Sequence, residues 1–110
     1  MDGDKPVLRV LEGTRDDGTL VLSLQGDIDM ATVGTLALHL DDVGDRARSV
    51  VVDLRRVGFL DCLGLRVLVD AHRAAIARGC HIEFIQGPPH VRRMFELTGT
   101  LGLLPFAETA

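Results

Sequence analysis

Residues 50–68, VVVDLRRVGFLDCLGLRVL, run from an apolar strand through Gly58 into the start of a helix. Val50, Val52 and Leu54 share one strand face while Asp53 and Arg55 share the other, the alternation of a half-buried strand. Gly58 marks a tight turn after this strand. Leu65, Leu68, Val69, His72 and Ile76 then recur at helical spacing up to Gly79, a glycine suited to the C′ position. Arg66, Asp70 and Arg73 fall on the outer face of that helix. Because the helix begins near Leu63, Asp61 and Cys62 stand at its mouth. Unsatisfied N–H groups and partial positive charge there make a small side chain sensitive to being neutral, anionic or modified.

Working outward, Val7–Leu11 and Thr19–Gln25 read as strands joined by Asp16, Asp17 and Gly18, an Asp-Gly turn signal of the kind that closes hairpins. Leu20, Leu22 and Leu24 face away from Ser23 and Gln25. Asp29 or Thr32 can cap a helix reaching about Val43, with Leu36, Leu40 and Val43 on one side, and Ser49–Leu54 forms the third strand. Beyond Gly79, His81–Ile85 is a strand with Ile82 and Phe84 opposite His81 and Glu83. Pro88 and Pro89 open a third helix carrying Val91, Met94 and Phe95, Gly99 closes it, and Leu101–Phe106 adds a last short strand. The order is β-β-α-β-α-β-α-β. A parallel sheet covered on both faces reads as unbroken apolar runs, whereas three strands here alternate. The predicted fold is therefore two-layer α/β, a mixed four- to five-stranded sheet with helices packed on one face, and not a three-layer doubly wound sheet.

No repeat, low-complexity tract or linker interrupts residues 1–110, so one domain with one core is expected. The net charge of −4 and the scarcity of aromatics, with no Trp or Tyr and four Phe, argue against a nucleic-acid surface. Met1–Pro6 leads into no long apolar run, and no stretch approaches the roughly 18 apolar residues of a membrane span, so a cytoplasmic protein without membrane insertion is expected. Lys5 is the only lysine beside eleven arginines. Two cysteines in such a chain suggest thiols and not a disulfide framework.

Enzymatic readings fare poorly. Neither GxGxxG nor a Walker-type GxxxxGK[ST] occurs. Asp27 and Asp29, in GDIDMAT, match the aspartate-phosphatase DxD pattern, but that chemistry also wants a cation at the phosphoryl group, and Lys5 is poorly placed for it. A cap at Asp29 and a turn at Asp27 explain the pair more simply. Cys62 could be a nucleophile aided by the helix dipole, yet Asp61 opposes the thiolate and Arg66 falls too early for a phosphate loop. A small cysteine- or aspartate-based phosphatase would hydrolyse a phosphate ester and lose this activity in Cys62→Ala or Asp27→Asn. Cys62 and Cys80 flank the second helix, roughly 24 Å apart at 1.5 Å per residue, too far for a disulfide, which needs Cα atoms within about 7 Å. Cys80 shares the parity of Ile82 and Phe84 and reads as a core thiol. His81 and Glu83 supply two metal ligands without a third, so no metal or other cofactor is expected.

Three segments, LSLQGDID at 22–29, VVVDLRRVGFLDCLGLRVL at 50–68 and PPHVRRMFELTG at 88–99, together resemble the STAS family, the domain shared by sulphate transporters and anti-sigma factor antagonists. The resemblance implies a mixed sheet with helices on one side. In the antagonist branch it implies a non-catalytic regulator that binds an anti-sigma factor acting also as a serine kinase. Phosphorylation of a serine in a D-S-x-G motif abolishes that binding by adding about −1.5 to −2 charge at the contact. Asp61, Gly64 and Leu65 match the motif, and Cys62 occupies the phosphoserine position. Since neither Cys62 nor Leu63 bears a hydroxyl, ordinary Ser/Thr phosphorylation there is not expected. The protein is then either constitutively competent or controlled by thiol oxidation as far as sulfinate. The partner surface implied comprises Asp29, Met30, Asp61, Cys62, Leu63, Gly64 and Arg66. The partner is an anti-sigma factor or serine kinase, with a weak homodimer as a further contact. The alternative in the same family is a STAS subunit of a lipid-transport or stress-signalling assembly, selected by co-purification with a transporter ATPase. The likeness fades near Phe106, where many relatives continue into a final helix.

Overall fold

The computed structural model describes residues 7–107, so the reading of Met1–Pro6, Lys5 included, lies outside the described residues. The elements are β1 (Leu8–Thr14), β2 (Leu20–Ile28), α1 (Val33–Arg46), β3 (Ser49–Leu60), α2 (Cys62–Arg78), β4 (His81–Ile85), α3 (Pro89–Leu97), a 3-10 turn (Leu101–Leu103) and β5 (Phe106–Ala107). They build one five-stranded sheet in the spatial order β1-β2-β3-β4-β5. β1 is antiparallel to β2 and the remaining pairs are parallel, so the sheet is mixed as expected. The hairpin turns at Gly18, with the Asp17 carboxylate accepting the Thr19 N–H at 2.9 Å.

Each parallel connection passes through a helix, and crossovers of one hand moving steadily across a sheet lay all their helices on the same face. Leu22, Leu24, Val52, Leu54 and Phe84 from that face close over Leu36 and Val43 of α1, Leu68 of α2, and Val91 and Phe95 of α3 in one core. Phe106 finishes its far edge, its ring centroid 5.3 Å from that of Phe95 in an edge-to-face arrangement. Cys80 is buried, as its parity implied, and burial raises its thiol pKa.

Five expectations need correction. β3 does not end at Leu54, and Gly58 is not a turn. The strand continues to Leu60 with two register shifts against β2, one opposite Ser23–Gln25 and one opposite Gly26–Asp27. Each shift is a bulge that places two successive residues outward, Arg55 with Arg56 and Gly58 with Phe59, before Val57 and Leu60 turn back into the core. Ile76 is not on the inner face of α2 but 63% exposed, while Ala75 is buried. The last turns of α2 lean on α1 through Ala71, Ala74 and Ala75 against Leu40 and Val43, a close approach that small residues permit and that rotates Ile76 outward. The strand expected over Leu101–Phe106 is a 3-10 turn followed by two strand residues. Finally, the helix-free face is less polar than predicted, since Val51 and Ile85 are buried there beside Asp53.

Asp53 is 9% exposed and accepts three kinds of bond from Arg55: its backbone N–H to Oδ1 at 2.9 Å, Nε to Oδ1 at 3.0 Å and Nη2 to Oδ2 at 2.8 Å. Burial opposes ionisation of this carboxyl, but the Arg55 bonds outweigh it and hold the pKa below the ordinary carboxylate value. A depressed folded-state pKa contributes stability above the unfolded value, near 3.9, that is lost as pH falls through the folded one. Because the Arg55 side chain is 52% exposed, solvent screening limits the contribution to below about 1 kcal/mol. Asp53→Asn is expected to lower stability by that amount at pH 7. In urea unfolding across pH, its deficit should shrink as pH falls below the ordinary carboxylate range and the folded-state Asp53 becomes protonated; a deficit constant in pH would contradict this account.

Candidate docking surface

The C-terminal ends of β2 and β3 lie side by side, Asp27 paired with Phe59 and Ile28 with Leu60. The Asp61 N–H then donates to the Ile28 carbonyl at 3.1 Å, which ties the mouth of α2 to the loop leaving β2. In that loop the Asp29 carboxylate accepts the Ala31 N–H at 2.9 Å, and the Asp29 carbonyl accepts the N–H groups of Thr32 and Val33. Thr32 is the N-cap residue of α1 but makes no side-chain cap bond; its hydroxyl donates instead to the Asp27 carbonyl at 2.8 Å and accepts the Asp29 N–H at 3.0 Å. The loop is thus pinned from within, and it presents Met30, 76% exposed, at its tip.

Asp61 is the N-cap of α2. Its Oδ1 accepts the Gly64 N–H at 2.9 Å and its carbonyl accepts the Leu65 N–H at 2.9 Å, a cap of the kind that contributes about 1 kcal/mol. The cap leaves Cys62 exposed on the first helical residue. Leu63 beside it is 47% exposed, whereas Gly64 is buried. An added Cβ at Gly64 would collide with Ile28 Cγ2 and come within 2.8 Å of Leu60 Cδ1, so glycine is what lets α2 start this close to the strand ends. Arg66 lies one turn along from Cys62, well exposed and 3.9 Å from Asp70, a contact too long and wet to hold it.

Asp29, Met30, Asp61, Cys62, Leu63 and Gly64 therefore meet at one end of the sheet, with Arg66 at its margin. Sequence reasoning missed two members of this end. Phe59, 50% exposed, pairs with Asp27 at the strand ends and is turned out by the bulge at Gly58. The spacing of Val57 and Leu60, three apart in a strand, was the available signal, since strict alternation would put one of them in solvent. His90, at the start of α3, brings Nε2 to 2.6 Å from the Gly58 carbonyl and so braces the bulge from the side. Asp27 accompanies Gly58 on the other side, 3.0 Å from where a Cβ would lie. His81 and Glu83, by contrast, sit at the surface of β4 with 3.9 Å between Nε2 and Oε1, away from this end. No helix among the described residues is long and apolar enough to cross a membrane.

The sequence model of the family described as Mlab, STAS domain, matches residues 12–105. BtrV of Bordetella bronchiseptica, itself assigned as an anti-sigma factor antagonist, is 35% identical over 95 residues, which span 84% of this chain and 81% of BtrV. The crystal structure of an anti-sigma factor antagonist from Mycobacterium paratuberculosis superposes with a TM-score of 0.82 at 29% identity, covering 93% of this chain and 86% of that one. The Bacillus cell fate determinant SpoIIAA in its phosphorylated form shares the fold, with a TM-score of 0.69 at 19% identity over 94% of this chain and 92% of its own. With a fold, a strand-end surface and relatives that agree, the chain belongs to the STAS domain family, in its anti-sigma factor antagonist branch.

Proposed function

We propose that the protein is a non-catalytic antagonist that docks an anti-sigma factor of the serine-kinase type through Asp29, Met30, Asp61, Cys62, Leu63, Gly64 and Arg66, with the exposed Phe59 as a further apolar contact. One observation carries this reading: an exposed Cys62 occupies the first residue of α2, which Asp61 caps, and the exposed apolar side chains of Met30, Phe59 and Leu63 belong to the segments that enter and leave this end of the sheet. Exposed apolar groups at the same end of the sheet as a neutral residue suit a dry protein contact, in which a phosphate would be both bulky and charged. Cys62 stands where antagonists of this type carry the phosphoacceptor serine, and no hydroxyl replaces it. The switch is therefore lost and binding is constitutive. The same reading places the protein in the cytoplasm, acting without a cofactor as a single domain over residues 1–110.

The test has two arms. The protein, incubated with ATP and each anti-sigma kinase of its cell, is expected to bind at least one in a pull-down and to acquire no phosphate on residues 59–66 by mass spectrometry. Cys62→Ser is expected to bind the same kinase and to gain one phosphate at position 62. Binding to none of the kinases would overturn the antagonist role, and phosphorylation of the unaltered protein in this segment would overturn its constitutive character.

A further inference from the structure

We propose that the helix-free face of the sheet carries a second site, separate from the docking surface, that binds a phosphate monoester. The strand register assembles it in two rungs. One runs Leu11, Ser23, Asp53 and Ile85 across β1 to β4; the next runs Arg9, Gln25 and Arg56. Residues paired across a ladder project from the same face, so these side chains converge on the side away from the core. Leu11, Ser23, Gln25, Asp53, Arg55 and Arg56 wall an open cleft of about 530 Å³, within the size range of small-molecule sites, and Arg9 stands outside its lining on the same rung as Gln25.

The first bulge in β3 creates the chemistry. A regular strand would send one of Arg55 and Arg56 to the core face; the extra residue turns both outward. Asp53, nine-tenths buried, grips Nε and Nη2 of Arg55 and so fixes the guanidinium in the cleft with its remaining N–H groups unused. Arg56 and Arg9 pair with no carboxylate among the described residues, and the Ser23 hydroxyl and Gln25 amide make no side-chain bond there. The cleft itself holds two guanidiniums, Arg55 and Arg56, against one carboxylate, with Arg9 beside it on the Gln25 rung, on a chain whose net charge is −4. Two further acids stand on this face beyond the cleft: Asp27, two residues past Gln25 on β2, and Glu83, which lies on the adjoining rung with Val51 and faces His81. Guanidinium forks donate paired hydrogen bonds to carboxylate and phosphate alike, but more than one arginine in the cleft, together with the hydroxyl and amide donors, suits a group with more acceptor oxygens and more negative charge than a carboxylate has. Leu11, 48% exposed, offers an apolar wall for the organic part of the ester.

The experiment is a titration of the full-length protein with inorganic phosphate at constant ionic strength, followed by amide chemical shifts, with acetate in parallel. Saturable shifts confined to residues 23–25 and 53–56 are expected, weaker by roughly tenfold or more in Arg56→Gln and unchanged in Arg73→Gln, which alters an exposed arginine of α2. Shifts that never saturate, that persist equally in Arg56→Gln, or that acetate reproduces at the same concentration would overturn the site. Phosphatidate vesicles form a second arm: sedimentation that Arg56→Gln abolishes would put the phosphate on a lipid headgroup, whereas phosphate shifts without sedimentation would make the ligand soluble. Because Arg56 lies on the helix-free face, the outcome is independent of kinase binding at the docking surface.

Discussion

Cys62→Glu is expected to weaken binding of the anti-sigma partner by roughly tenfold to a hundredfold while leaving the fold intact. The two halves of that expectation have separate causes. On the folding side, position 62 is the first residue of α2, where a negative charge meets the positive end of the helix dipole and stabilises by about 0.3–1 kcal/mol. On the binding side, the new carboxylate joins Asp61 inside a contact otherwise formed by Met30, Phe59 and Leu63, and desolvating it there has no compensating partner. Cys62→Gln, close in shape but neutral, should bind nearly as the parent does. Calorimetry of the three proteins with one kinase partner, alongside their melting temperatures, separates charge from size. Equal affinity of the glutamate and glutamine variants would show that position 62 lies outside the contact.

Gly64→Ala is expected to destabilise the protein by about 2 kcal/mol and to lower its Tm by about 10 °C. In an exposed helix this change would stabilise by up to about 1 kcal/mol. Here the added methyl would meet the side chains of Ile28 and Leu60, both fully or almost fully buried, and the Ile28 carbonyl at 3.0 Å, so neither neighbour can retreat into open space. Relief requires α2 to lift from the strand ends, which stretches the bond from the Asp61 N–H to the Ile28 carbonyl and displaces Cys62 and Leu63 together. Thermal unfolding reads the first effect and kinase affinity the second. A variant as stable as the parent would show that the start of α2 is less tightly packed than the distances indicate.

Leu22, Leu24, Val52, Leu54, Phe84, Leu68 and Phe95 were legible as core because each follows the two- or 3.6-residue period of its own element, and period depends only on local backbone geometry. The same local logic placed Asp61 and Cys62 at the start of α2 and Gly79 as the residue that ends it, while the capping bond of Asp61 is seen only in the folded chain. The resemblance, in turn, picked out position 62 and the loop at Asp29. Local logic failed where two elements compete for space. Ile76 has perfect helical spacing yet faces solvent, because α1 claims the alanine side of α2; Phe59 looks like the next core residue of an apolar run yet is turned out by a bulge.

From the order of residues alone came the element types, the mixed two-layer sheet and the place of Cys62 at a helix mouth, all of which follow from periodicity and turn chemistry within a few residues; that Cys62 is exposed came only from the fold. Only the folded chain decided that β3 outruns β2 and absorbs the excess in two bulges, since a bulge is a mismatch between strands and belongs to neither one. That mismatch turns Phe59 outward at one end of the sheet and Arg55 with Arg56 onto its open face, and no pattern read along a single strand contains it.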